Sequence, residues 1–91
     1  MQGIKMNIPV DVIATFNVEG KMKPDYIRLE DEEHMLHTYK IDSVEYTKEE
    51  AYAGINRICF VCRIIVNDCI RRIKLYYFLE THKWTLFHLH L

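Results

Sequence analysis

Glycine and proline are scarce, with three and two in 91 residues. That scarcity excludes collagen-like repeats and flexible linkers. Ser43 is the only serine. No candidate base neighbours it in sequence, so a serine nucleophile has no support. No apolar run approaches the ~18 residues of a membrane span. Near the N-terminus the longest run, Val12-Ile13-Ala14, is bounded by Asp11 and Thr15. A signal-peptide h-region and a small-residue cleavage site are also missing, so a cytoplasmic location is the expectation. The cysteine count is three, an odd number that argues against a secreted disulfide framework. Cys59, Cys62 and Cys69 are expected to be reduced.

Recognisable reaction motifs are absent too. There is no glycine-rich phosphate loop, no G-x-S-x-G and no H-E-x-x-H. Neighbouring carboxylates occur only from Glu30 to Glu33 and at Glu49-Glu50, in expected loops where they stay solvated and unsuited to acid–base work. The expectation is therefore neither an enzyme nor a cofactor binder.

What is present is a compact globular composition: 49% hydrophobic, 27% charged, with six Tyr, four Phe and one Trp. At 11.0 kDa the chain is one domain, residues 1–91. Apolar and polar residues alternate with period two, the signature of half-buried strands. Ile8, Val10, Val12, Ala14 and Phe16 share one face of the first strand. Pro9 sits near its start, where a missing N–H is tolerated. Glu19-Gly20-Lys21 supplies a turn, and Pro24 opens a second strand over Asp25 to Glu30.

Leu36 to Tyr46 reads as a third strand. Thr47-Lys48-Glu49-Glu50 then fits a capping box and Gly54 a helix stop, giving at most one short helical turn near residues 48–53. Ile55 to Val66 is nearly all β-branched, aromatic or Cys. Asn67-Asp68 marks a tight hairpin, and Ile70 to Leu79 is its return strand. Glu80 to Lys83 turns into a last strand, Trp84 to Leu91.

Five or six strands joined by short turns predict an all-β meander, a highly curved antiparallel sheet or small barrel. The predicted core is Ile8, Val10, Val12, Phe16, Ile58, Phe60, Ile64, Ile73, Leu75, Tyr77 and one face of the last strand. If that last strand lies at an edge, it is a seam for homodimer pairing.

The pieces Ile8-Pro9-Val10, Val12-Ile13-Ala14-x-Phe16, Lys23-Pro24-x-Tyr26-Ile27-Arg28, Cys62-Arg63-Ile64 and Leu75 to Glu80 followed by Trp84 cover about half the chain. In these the chain loosely resembles a group of small uncharacterised bacterial β proteins. The resemblance implies a small curved β-sheet domain and carries no catalytic or ligand signature.

Charge is uneven. Residues 1–54 hold six Lys/Arg against eleven Asp/Glu, and residues 55–91 hold six against two. Either the halves neutralise each other within one barrel, or the basic half is an interaction surface. The interpretable set is Arg57, Arg63, Arg72, Lys74 and Tyr76. Arg57 and Arg63 share a face of one strand, and the other three share a face of the next, across the Asn67-Asp68 hairpin. Cations hold phosphates and an aromatic ring stacks an unpaired base, so this face fits single-stranded nucleic acid; a solvated face is the alternative.

Cys59-x-x-Cys62 has zinc-ribbon spacing but lies within a strand, where residues three apart point to opposite faces. It reads as structural. His88-x-His90 would share a face and could meet one Zn²⁺, Ni²⁺ or Cu²⁺, with a third ligand from His37, His82 or Cys69; two surface histidines are the alternative.

Three functions follow: a non-enzymatic interaction module, homodimeric or bound to another protein; a single-stranded nucleic-acid binder; and a metal-dependent domain at the histidines. No partnership with a membrane is expected.

Overall fold

The computed structural model describes residues 7–88, without the side chains of Tyr52 and His88. Six strands follow one another: β1 (Ile8–Phe16), β2 (Met22–Glu30), β3 (Leu36–Tyr52), β4 (Ile55–Val66), β5 (Cys69–Phe78) and β6 (Lys83–His88). They close into an antiparallel barrel in sequence order, with β6 returning to β1. The described residues contain no helix.

Every strand has two neighbours, and β1 and β3 divide their length between theirs. β1 pairs with β6 through Ile8–Val10 and with β2 through Asp11–Phe16. β3 pairs with β2 through Leu36–Lys40 and with β4 from Ile41 to Tyr52. The barrel is thus two curved sheets joined at corners, where a strand leaves one sheet for the next. Bulges mark the bends. In β3 the register shifts between Ile41 and Ser43 and again between Val44 and Tyr46. In β2, Asp25 is skipped between the Ile13–Tyr26 and Ala14–Pro24 pairs. Pro24 sits inside β2 beside this bulge, before β3 pairing begins at Tyr26, so its missing N–H breaks no ladder bond.

The turns follow their residues. Asn67-Asp68 (φ 52° and 64°) and Ala53-Gly54 (φ 53° and 79°) are two-residue hairpins whose central residues both need the left-handed region. The expected helical turn at 48–53 is corrected here: β3 runs through it to Tyr52. The capping-box spacing was overridden because β4, rich in β-branched residues, offers Thr47 to Tyr52 a continuous partner from Phe60 to Ile55.

The β1–β2 and β2–β3 turns are built alike. Asn17 and Asp31 each accept two backbone N–H bonds through one side-chain oxygen, at 2.8–2.9 Å. Gly20 and His34 occupy the matching positive-φ position. His37 Nε2 stands 2.7 Å from the second Asp31 oxygen. This contact and the turn N–H groups hold the Asp31 carboxyl below its ordinary pKa.

Ile27, Ile41, Phe60, Cys62, Ile64, Ile73, Leu75 and Leu86 form the buried core, flanked by Val10, Val12, Ile58, Tyr77 and Trp84. The expected core holds at Phe60, Ile64, Ile73 and Leu75. It fails at Ile8 and Phe16, which are exposed. They are the first and last residues of β1, where alternation continues but burial does not. In the last strand, Trp84 to Leu86 are paired on both sides, by β1 and by β5, so that stretch is not an edge.

Candidate nucleic-acid interface

The face of β4–β5 is set by one hairpin. Its inward positions are Ile58, Phe60, Cys62 and Ile64 on β4, with Tyr77, Leu75 and Ile73 on β5 against the first three and exposed Arg71 beside Ile64 at the end of the barrel. Strand alternation therefore turns Arg57, Cys59, Val61 and Arg63 outward, opposite Phe78, Tyr76, Lys74 and Arg72. All five residues singled out in sequence lie on this one outer surface. Arg63 and Arg72 are direct cross-strand partners. On β6 the same surface continues through Lys83, Thr85 and Phe87, opposite Phe78, Tyr76 and Lys74. On β3 it continues through Glu50, Lys48 and Tyr46, opposite Arg57, Cys59 and Val61.

Carboxylates from the acidic half reach into this face. Arg57 Nε donates to Glu50 at 2.7 Å, and its guanidinium lies 4.0 Å from the Tyr76 ring centroid. The Arg57 side chain is only 13% exposed, so it is clamped between carboxylate and ring. Glu45 is the extra residue of the Val44–Tyr46 bulge. Its two oxygens stand 3.0 Å from Arg72 Nε and 3.5 Å from Arg63 Nε. A bulge re-aims a side chain, and here it sets one carboxylate between two guanidiniums that would otherwise repel. The halves do neutralise one another, in part. Lys48, Lys74 and Lys83 make no ion pair with the described residues, and the Lys74 ammonium lies 5.7 Å from the Phe87 ring centroid. Six basic side chains against two carboxylates leave this face cationic.

Sequence reasoning missed Lys48, Tyr46, Lys83 and Phe87 as members of the face. Phe87 was legible from alternation in the last strand. The β3 members were hidden by the helical reading of residues 48–53.

Cys59 and Cys62 diverge, as strand geometry requires. Cys62 is in the core, and burial first, then the neighbouring Cys59, pushes its thiol up to about 12. Cys59 lies on the outer face beneath its neighbours, 5% exposed, and burial raises its pKa as well. All three cysteines are free, and Cys69 is exposed.

The proposed third metal ligands are engaged elsewhere or apart: His37 with Asp31, His82 Nδ1 at 2.6 Å from the Tyr77 hydroxyl, and Cys69 at the far hairpin beside Asp68. His90 and the His88 side chain lie outside the described residues. Among the described residues, no three His, Cys, Asp or Glu are grouped to hold a metal ion.

A cleft of about 1080 Å³ opens where β1 parts from β6. Val12, Leu29, Trp84 and Leu86 line it, and Asp11, Arg28, Glu30 and His34 stand at its rim. Those rim charges are paired among themselves, Arg28 with Asp11 and His34 with Glu30. No described helix is long and apolar enough to cross a membrane. Comparison with protein-family models, with curated proteins and with solved structures found no match.

Proposed function

We propose that the barrel is a non-catalytic binding module whose ligand is single-stranded nucleic acid, held across the outer face of β4, β5 and β6. The observation that carries this reading is the continuous alignment of Lys74, Arg72, Arg63 and Lys48 with the rings of Tyr76 and Phe87 on one open sheet surface. Phosphates are held by the lysines and by the arginine pair. Bases stack on Phe87 and on the Arg57–Tyr76 pair, since a guanidinium plane stacks as a ring does. Small barrels hold single strands across strand faces in this way. Three free cysteines fit a reducing compartment, so the module works in the cytoplasm.

Duplex binds less well. Its bases are already stacked, and a gently curved sheet face meets it through phosphates alone. The test is an amide chemical-shift titration with a short mixed-sequence single strand. The expected perturbations cluster at Lys48, Arg63, Arg72, Lys74, Tyr76, Thr85 and Phe87. Perturbations confined to the Asp31–Leu36 turn, or none at all at millimolar strand, overturn the reading.

A further inference from the structure

The barrel closes, but it does not pair every stretch of its strands. β2 leaves β3 at Tyr26–Lys40. From there to Tyr52, β3 has β4 on one side and no described strand on the other. A second gap of about 440 Å³ opens at this parting, between Lys23–Tyr26 and Lys40–Val44. The regular part of the free edge, Tyr46–Tyr52, lies beyond both bulges.

The orientation of its backbone follows from the hairpin. A two-residue turn at Ala53-Gly54 makes Tyr52–Ile55 a hydrogen-bonded pair. Pairs then alternate, so Tyr52, Glu50, Lys48 and Tyr46 spend their N–H and C=O groups on β4. Ala51, Glu49 and Thr47 point theirs outward, and the backbone bonds among turns and loops include none from these three. Unpaired edges of this length invite another strand.

We infer that this edge pairs with the same edge of a second copy, antiparallel and centred on Glu49. A two-fold axis there sets Glu49 opposite the partner's Glu49 and Thr47 opposite the partner's Ala51. All of these are outward-pointing, so both chains satisfy their ladders. The same register sets Lys48 opposite the partner's Glu50, twice per dimer, in the non-hydrogen-bonded pairs whose side chains approach most closely. Lys48 has no ion pair among the described residues, and this register supplies one. Centring on Lys48 or Thr47 instead opposes Lys48 to itself or Glu45 to Glu49. The Glu49 register also opposes one like pair, Glu49 to the partner's Glu49, but sets two Lys48–Glu50 pairs against it, whereas the other two registers bring together like charges alone; the balance of charge therefore selects the Glu49 register. Three consecutive charged residues also discourage strands of other sequence, which is how natural edges avoid promiscuous pairing. The two outer faces join across this seam, so the surface carrying Lys48 and Lys74 doubles.

A seven-residue edge buries less than the ~1,200–2,000 Å² of a standard interface, so association belongs on the order of 100 µM. The inference stands apart from the nucleic-acid reading and is tested without nucleic acid. Light-scattering mass is followed from 10 to 500 µM chain at about 50 mM salt. The mass is expected to rise from 11.0 kDa toward twice that value. Glu49→Pro removes an outward N–H and no in-chain ladder bond, so it should weaken association at least tenfold while far-UV circular dichroism stays unchanged. Lys48→Glu and Glu50→Lys each bring like charges together and should dissociate, whereas their equimolar mixture should regain the dimer. A wild-type mass of 11.0 kDa throughout, a dimer untouched by Glu49→Pro, or a mixture that stays monomeric overturns the inference.

Discussion

Glu45→Gln separates a binding face from a merely solvated one, because it moves stability and affinity in opposite directions. The amide keeps the shape of the side chain and deletes the charge between Arg63 and Arg72. Their side chains are 39% and 53% exposed, so each ion pair is worth at most about 1 kcal/mol. Residual repulsion between the two guanidiniums adds little in water, and the expected loss of stability is about 0.5–1.5 kcal/mol. Affinity for a single strand should rise. The wild-type face carries four uncompensated positive charges, and each neutralised phosphate contributes about −0.7 to the slope of log K against log salt. The wild-type slope is then about −2.8, and the variant, with a fifth charge, about −3.5. The added charge tightens binding about eightfold at 50 mM salt and about threefold at 200 mM. Urea melts measure the first quantity and fluorescence anisotropy at several salt concentrations the second. Unchanged or weaker binding, with stability reduced as expected, would refute the assignment of this surface to phosphate contact.

Further outcomes follow from other parts of the molecule. Ala53→Asn should stabilise the barrel by about 0.5–1 kcal/mol in urea melts, because asparagine tolerates the left-handed conformation that Ala53 holds at φ 53°. Native protein should release one fast thiol to a disulfide reagent, from exposed Cys69, and all three only after unfolding, because burial holds the other two protonated. The Asp31 carboxyl has a folded pKa below its ordinary 3.8, chiefly through His37. Its contribution to stability is present above that ordinary value and disappears as pH falls through the lower folded one. Asp31→Asn should therefore flatten the acid limb of the urea midpoint between about pH 4 and 2.

The strands from Ile55 onward were legible because β-branched density, alternation and the Asn67-Asp68 turn all agree there. That agreement also placed Arg57, Arg63, Arg72, Lys74 and Tyr76 on one face. The first half was harder. Nothing local in Thr47 to Glu50 distinguishes a helix cap from a strand; the partner that decides, Phe60 to Arg57, lies about ten residues on. The end residues of β1 misled for a similar reason. Alternation assigns Ile8 and Phe16 a face, but only the neighbouring strands determine whether that face is covered. Glu45 could not be read at all, because its role depends on a bulge that no residue type announces.

The most direct measurement is the anisotropy of a labelled mixed-sequence single strand, titrated with wild-type protein at 50 and 200 mM salt. A cationic face with four uncompensated charges calls for binding that weakens about fiftyfold across that range, and for a smaller loss in Lys74→Ala. No binding at 50 mM, or binding indifferent to salt, would contradict it and leave the β4–β6 surface as a solvated sheet.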